Sequence, residues 1–271
     1  MVRVSILFFL IVAQTFLSYE IFSPKYLEVT FLDVGQGDAI YIKAPNGNDV
    51  LIDGGANASV LRELSKRHSY FDRDIDVVIG THPDKDHIGG LVDVFDRYNV
   101  SYFLDPGVTN TTNVYTELME RVSDEGTYVV ARKGMKVVLG TDVYIEILFP
   151  DREIKGGVNN ASVVTRLVYK DTSVLLTGDA GVSIEKFLIG ENIKSTILKA
   201  GHHGSKTSSD FEFVKAVDPE FIVISAGKDN RYGHPHEEVL RVFESIKAKT
   251  LATYEQGSLV FFSDGEKFFL K

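Results

Sequence analysis

The segment that most restricts how this chain folds runs from Ile75 to Phe95: Ile75-Asp76-Val77-Val78-Ile79-Gly80, then Thr81-His82-Pro83-Asp84-Lys85-Asp86-His87-Ile88-Gly89-Gly90. Its first part is short, apolar and β-branched, and reads as a buried strand. Beyond His87, Ile88, Leu91, Val92 and Phe95 recur at i, i+3, i+4 and i+7, the spacing of an amphipathic helix. Two imidazoles and two carboxylates are therefore confined to one short strand-to-helix loop. A strand feeding a helix in this way belongs to a layered protein, with helices packed outside a sheet.

The remaining periodicity extends that picture. Strands are expected at Leu27–Leu32, Ala39–Lys43 and Asp49–Ile52, separated by turns at Gly35-Gln36-Gly37 and Asn46-Gly47. More are expected at Val100–Leu104, around Tyr128 and Val137, and at Val143–Phe149, Val163–Tyr169 and Ser173–Thr177. Thr196–Lys199 and Phe221–Ser225 alternate with helices at Val182–Ile189, Asp210–Val217 and Glu237–Lys247. Helices are also expected at Ser59–Arg67 and Asn113–Ser123, and two short strands, Ser258–Phe262 and Lys267–Leu270, close the chain. Many strands in each half with helices between them predict an α+β chain: two mixed sheets face to face, helices outside, in one domain over residues 24–271. Residues 1–23 are set apart. Met1-Val2-Arg3 precedes an apolar run, Val4–Leu17, broken only by Gln14 and Thr15. That is the pattern of a signal peptide or an uncleaved membrane anchor, and it predicts export with the N-terminus in contact with a membrane.

The chain has no cysteine, which excludes disulfides, thiolate zinc sites and cysteine nucleophiles. Any metal must sit on His, Asp and Glu. His82 and Asp84 are two apart and can face one side of the loop, while Asp86 and His87 can turn to a neighbouring point. Two cations a few ångströms apart form the arrangement that clamps both oxygens of a displaced phosphoester. Taken alone, the loop is open to a plainer reading, with Asp84 and Asp86 as helix N-caps beside stray histidines. It is not alone. Leu175-Leu176-Thr177-Gly178-Asp179 ends an apolar strand in a carboxylate. Ile197-Leu198-Lys199-Ala200-Gly201-His202-His203-Gly204-Ser205-Lys206 ends another in paired histidines, and Tyr232-Gly233-His234-Pro235-His236 follows a third. Six of the seven histidines fall in these clusters, so a site along one edge of the sandwich is the simplest explanation.

These motifs resemble the metallo-β-lactamase superfamily, whose loop reads His-x-His-x-Asp-His with later His, Asp and His ligands. More closely, Phe31–Ala39, Leu51–Gly55, Thr81–Gly90, Leu176–Asp179 and Gly201–Ser209 resemble the hydrolase-like domain of the competence DNA-uptake family ComEC. The resemblance covers about residues 27–271 and implies the αββα sandwich with two divalent metals, zinc or manganese, at the sheet edges. Two departures stand out. Asp84 replaces the second histidine of the superfamily loop, and Asn159-Asn160-Ala161-Ser162 stands where a histidine usually precedes the Gly-Asp motif. A set richer in carboxylate is harder and admits magnesium as well.

The resemblance also implies roles. Asp179 bridges, Asp86 and His87 take one metal, His82 and Asp84 the other, and His203 or His202 completes the set. The remaining histidine and His234 contact phosphate oxygens or donate a proton, so catalysis falls to Asp86, Asp179, His202 and His234. Ser205 and Lys206 hold phosphate, with an exposed surface lysine as the plainer alternative. Asn160 faces substrate. Asp33 and Asp53 support ligand histidines from behind or serve only as turn residues.

The implied function is metal-dependent cleavage of phosphodiesters, DNA first. The alternatives are hydrolysis of another ester, such as phosphorylcholine on envelope polymers, and a non-catalytic, metal-stabilised module of a DNA-uptake assembly. A net charge of −9 argues against a broad basic surface for nucleic acid, so any such substrate must be held locally.

Overall fold

Alternation of apolar residues sets the layers. In β1 (Leu27–Phe31), Leu27, Val29 and Phe31 point to one side; in β2 (Ile40–Lys43) and β3 (Asp49–Ile52), Ile40, Ile42, Val50 and Ile52 join them. Tyr41 and Leu51, between these positions, point to the opposite side. Period two thus splits each strand between two cores. The computed structural model describes residues 26–68, 72–124, 126–154 and 158–271; the apolar N-terminal segment lies outside them.

The first sheet continues through β4 (Asp74–Ile79), β5 (Asn99–Asp105) and β6 (Thr127–Val130), and is closed by β14 (Leu259–Ser263) and β15 (Phe268–Leu270). Its order is β15-β14-β1-β2-β3-β4-β5-β6. The second sheet has β7 (Lys136–Gly140), β8 (Val143–Phe149), β9 (Val164–Tyr169), β10 (Thr172–Leu176), β11 (Ile197–Lys199), β12 (Phe221–Ile224) and β13 (Lys249–Ala252), in the order β13-β12-β11-β10-β9-β8-β7. Both sheets are mixed. The neighbours β3-β4-β5-β6 are parallel in the first, as are β10-β11-β12-β13 in the second, and every other pairing is antiparallel.

One core lies between the sheets. A second lies under α1 (Ser59–Leu64), α2 (Lys85–Arg97) and α3 (Asn113–Asp124), on the outer face of the first sheet. A third lies under α4 (Val182–Leu188), α5 (Phe211–Val217) and α6 (Glu237–Ile246), on the outer face of the second. The molecule is the expected αββα sandwich.

The parallel halves position the site. Parallel strands deliver their C-terminal ends to one edge of a sheet, where loops gather functional groups. Asp53 follows β3, the His82 loop follows β4, Asp179 follows β10, His202 and His203 follow β11, and His234 lies in the loop after β12. Val163 N–H donates to the Thr81 carbonyl at 2.8 Å, tying the two sheets at this edge.

Sequence periodicity missed β13, and after it a single helical turn, α7 (Thr253–Gln256). The strand is an edge strand of four residues whose first two are exposed, so its burial pattern carries little alternation. No glycine or proline separates it from α6, whose end is marked instead by Lys247 in the left-handed region (φ 62°).

The seat of α2 requires glycine. Gly54 N–H donates to His87 O at 2.7 Å and Gly90 N–H to Gly55 O at 2.9 Å, so backbone meets backbone. A Cβ at Gly90 would fall inside contact distance of the Gly54 and Asn57 carbonyl oxygens. Two effects compete in Gly90→Ala: better helix propensity, worth about 1 kcal/mol, and a clash with backbone that cannot rotate away. The clash wins. We expect a net loss on the order of 2–3 kcal/mol in urea unfolding; an unchanged or raised midpoint would show that the helix seat is not tight.

Candidate metal centre

Four imidazoles converge on one carboxylate, and each is held from behind. Asp53 organises the first two. Its carboxylate accepts Thr81 N–H at 2.7 Å, Thr81 Oγ1–H at 2.7 Å and His87 Nδ1–H at 2.7 Å. Because the Thr81 hydroxyl gives its proton to Asp53, it accepts from His82 Nδ1, 3.0 Å away. His203 Nδ1 donates to the Ser225 carbonyl at 2.9 Å, and His202 Nδ1 meets Thr207 Oγ1 at 3.0 Å. With every Nδ1 engaged, every Nε2 is turned toward the carboxylate, and those of His87 and His203 lie 3.3 Å apart.

Those Nε2 atoms divide between the two oxygens of Asp179. Oδ1 lies 3.2 Å from His87 Nε2 and 3.6 Å from His203 Nε2. Oδ2 lies 3.4 Å from His202 Nε2 and 3.8 Å from His82 Nε2. Asp86 Oδ2 adds to the first group, 3.6 Å from His203 Nε2, and Asp84 Oδ2 to the second, 3.6 Å from His82 Nε2. Asp84 occupies the N-cap position of α2, yet its side chain makes no capping hydrogen bond. The plain capping reading of this loop therefore fails for Asp84.

The backbone is strained where the second pair of histidines sits. His202 (φ 47°, ψ 47°) and His203 (φ 56°, ψ 22°) are successive non-glycine residues in the left-handed region. Such a conformation costs roughly 1–3 kcal/mol per residue and persists where surroundings enforce it, as functional sites do. It splays consecutive side chains onto the two oxygens of Asp179.

The donor set fits divalent cations. His82 Nε2 and Asp179 Oδ1 are buried without a hydrogen-bond partner, an arrangement that leaves polar atoms unsatisfied unless something else meets them. Ligand atoms of Asp38, His87, Asp179 and His203 all lie within 4.8 Å of one another. Without a cation, charge in the centre is balanced by protons. Burial pushes the His203 ring down, but Asp179 and Asp38 outweigh it and raise its pKa to about 9. Burial would likewise lift Asp179, yet His203 and His87 hold it well below the usual carboxylate range. Asp86 is also held low, burial being outweighed by His203 and His87. His234 moves the other way. Burial and the charges of His203 and His202 depress it to about 4, so at neutral pH it is an uncharged ring.

The other residues singled out by sequence lie as follows. His234 sits beside the centre, its ring 5.6 Å from that of His202 and 6.3 Å from that of His203. Ser205 is buried and its hydroxyl is engaged with Thr207 at 3.0 Å, while Lys206 is exposed. Asn160 is exposed and lines a neighbouring cavity of about 340 Å³ with Phe149, Ser183 and Phe187. Asp33 is not brought to the centre; its carboxylate accepts from Gly35 N–H, a turn contact. A cleft of about 450 Å³ opens beside Asp86, flanked by Lys85, Arg231 and Tyr232.

Sequence reading assigned nothing to Asp38 and Lys199, which lie under the centre as a buried ion pair at 2.5 Å. One signal was present: a lysine closing the apolar strand Ile197-Leu198-Lys199. Thr81 and Thr207 were also missed, because their hydroxyls only orient imidazoles.

A family profile described as the metallo-beta-lactamase superfamily matches residues 32–227. The chain belongs to the metallo-beta-lactamase superfamily. It is 31% identical over 251 residues to ComE operon protein 3 of Bacillus subtilis, covering 86% of this chain and 32% of that protein. It is 30% identical over 251 residues to Competence protein ComA of Neisseria gonorrhoeae, covering 91% and 34%. The chain thus spans about a third of the length of these relatives. Among solved structures, CmlA, a diiron beta-hydroxylase from Streptomyces venezuelae, superposes with a TM-score of 0.55 at 15% identity, over 84% of this chain and 53% of that one. At that identity the likeness is one of fold. The competence-type resemblance read from the motifs and these relatives agree.

Proposed function

We propose that this chain is a metal-dependent phosphodiesterase acting on DNA, with two divalent cations, zinc or manganese, sharing Asp179. The observation that carries it is the division of four Nε2 atoms between the two oxygens of one buried carboxylate. Asp86, His87 and His203 hold one cation; His82, Asp84 and His202 hold the other. His202 then stands in for the histidine missing at Asn159-Asn160-Ala161-Ser162, where Ser162 Oγ instead accepts from Asp179 N–H at 3.3 Å. When bound, the pair supplies a water acidified toward neutral pH and counter-charge for phosphoryl oxygens.

The chain's own groups do the rest. Asp53, Thr81, Ser225 and Thr207 fix the ring orientations. His234, neutral above about pH 4, suits a hydrogen bond to a phosphate oxygen better than delivery of a proton. Lys85 and Arg231 line the cleft beside Asp86, and with the exposed Lys206 they would hold flanking phosphates. DNA is favoured because relatives are named for competence and the motifs resemble the DNA-uptake family. The apolar N-terminus supports action outside the cytoplasm, at or near a membrane. Among the described residues no helix is long and apolar enough to cross one.

The test is a release assay on labelled DNA, a generic phosphodiester and a phosphorylcholine ester, each with zinc, manganese or magnesium. We expect DNA to be cut with little sequence preference. Few phosphates are neutralised on a chain of net charge −9, so the salt slope of binding should be shallow, on the order of one to three counterions. Lys206→Ala should weaken binding more than turnover. Hydrolysis of the phosphorylcholine ester alone would replace the substrate assignment, and DNA binding without cleavage would remove the enzymatic one.

A further inference from the structure

Lys199 is the last residue of β11 and is fully buried, and Asp38, in the loop between β1 and β2, is 1% exposed. They come from different sheets and meet directly beneath the centre. Neither oxygen of Asp38 has a hydrogen-bond partner of good geometry, so what holds the carboxylate is charge. Asp38 Oδ1 lies 3.4 Å from His203 Nδ1, and Oδ2 lies 3.9 Å from His87 Nδ1. Asp38 therefore faces the two rings that share Asp179 Oδ1. Lys199 Nζ also donates to the Gly178 carbonyl at 3.3 Å, on the residue that precedes Asp179. The pair thus adjoins two of the gathered rings and the peptide that leads into Asp179.

Burying two charges is costly, and an apolar pair of similar volume would serve a core as well or better. A cation at this point does something an apolar pair cannot. It neutralises Asp38, which would otherwise be an uncompensated negative charge inside the donor cluster, and it fixes the peptide that carries Asp179. The ammonium also holds Asp38 on the Nδ1 side of the two rings, beside the Asp53 carboxylate and the Ser225 carbonyl that take their Nδ1 protons. Negative charge behind ligand rings raises their basicity.

We propose that Lys199 and Asp38 are positioning residues, a resident ion pair across the two sheets that sets cation affinity at the His87–His203 position. This rests on the reading that the cluster binds divalent cations. The experiment uses cobalt(II) as probe, titrated into the metal-free chain and followed by its visible absorption, with a competing chelator to read affinity. Lys199→Met alone leaves Asp38 unpaired and is expected to unfold readily. The decisive variant is therefore the charge-free pair, Lys199→Met with Asp38→Asn.

We expect that pair to fold and to melt within a few degrees of the metal-free wild type. We expect its cobalt affinity to drop at least 10-fold at one of two positions, with an altered absorption band and a loss in kcat larger than any change in KM. Wild-type affinity and spectrum in the folded pair would overturn the inference, because the ion pair would then be only a structural contact. Failure of the pair to fold would also overturn it, by placing the role in stability. A wild-type chain that takes up no cobalt would instead sink the metal-centre reading itself.

Discussion

Asp179→Ala is expected to abolish hydrolysis with every metal while leaving the sandwich folded. Asp179 belongs to none of the three apolar cores, so its removal opens no large cavity. What it removes is, among the described residues, the only carboxylate that faces four imidazoles at once. Loss of a group behind a metal ligand typically costs 10–100-fold, and loss of a ligand shared by both positions should exceed that, about 10³-fold or more in kcat. If Asp179 were a strand-end turn residue, the substitution would cost only about 1 kcal/mol of stability and leave turnover alone. Near wild-type turnover in a folded Asp179→Ala chain would therefore remove the two-cation reading. Circular dichroism and steady-state kinetics on the same preparation decide it.

Removal of metal should lower stability, and the size of the effect should grow with pH. In the metal-free chain His203 titrates near 9, against about 6.5 when unfolded. Its protonated form is therefore a stabilising partner for Asp179 and Asp38. That contribution is complete below about pH 6.5 and is lost as pH rises through 9. His87 is raised as well, burial being outweighed by Asp179 and Asp53, and adds in the same direction. Asp179, held low, contributes above about pH 4 and loses its share only in acid. Bound cations replace the protons, need neutral imidazoles, and stabilise by mass action. Melting of chelated and manganese-loaded protein from pH 6 to 9 should thus show a widening gap, on the order of a few kcal/mol at the upper end. A gap that is absent, or constant with pH, would contradict the assignment.

Much of this architecture was legible because two periodicities alternate cleanly. Tyr41 between Ile40 and Ile42 declares a strand with two buried faces, and Leu91 and Phe95 beyond Ile88 declare the helix that lies on it. The donor residues were legible because polar types at the ends of apolar strands have few other reasons to be there. What remained hidden depended on chain reversal in three dimensions. The choice between His202 and His203 was open in sequence, where nothing foretells the two left-handed residues that turn one ring to each oxygen of Asp179. Asp38 and Lys199 are 161 positions apart and become one feature only when the sheets face each other. Asp33 and Asp53 looked alike, each within two residues of a glycine after a strand. Only Asp53 follows a strand of the parallel half, and only Asp53 reaches a histidine.

One carboxylate, Asp179, should lie between two cations. Anomalous diffraction from crystals of the chain soaked in manganese measures it directly. Two peaks are expected about 3.5–4 Å apart, one among Asp86, His87 and His203 and one among His82, Asp84 and His202, with Asp179 between them. No peak at this edge, or a single peak that Asp179 does not contact, would contradict it.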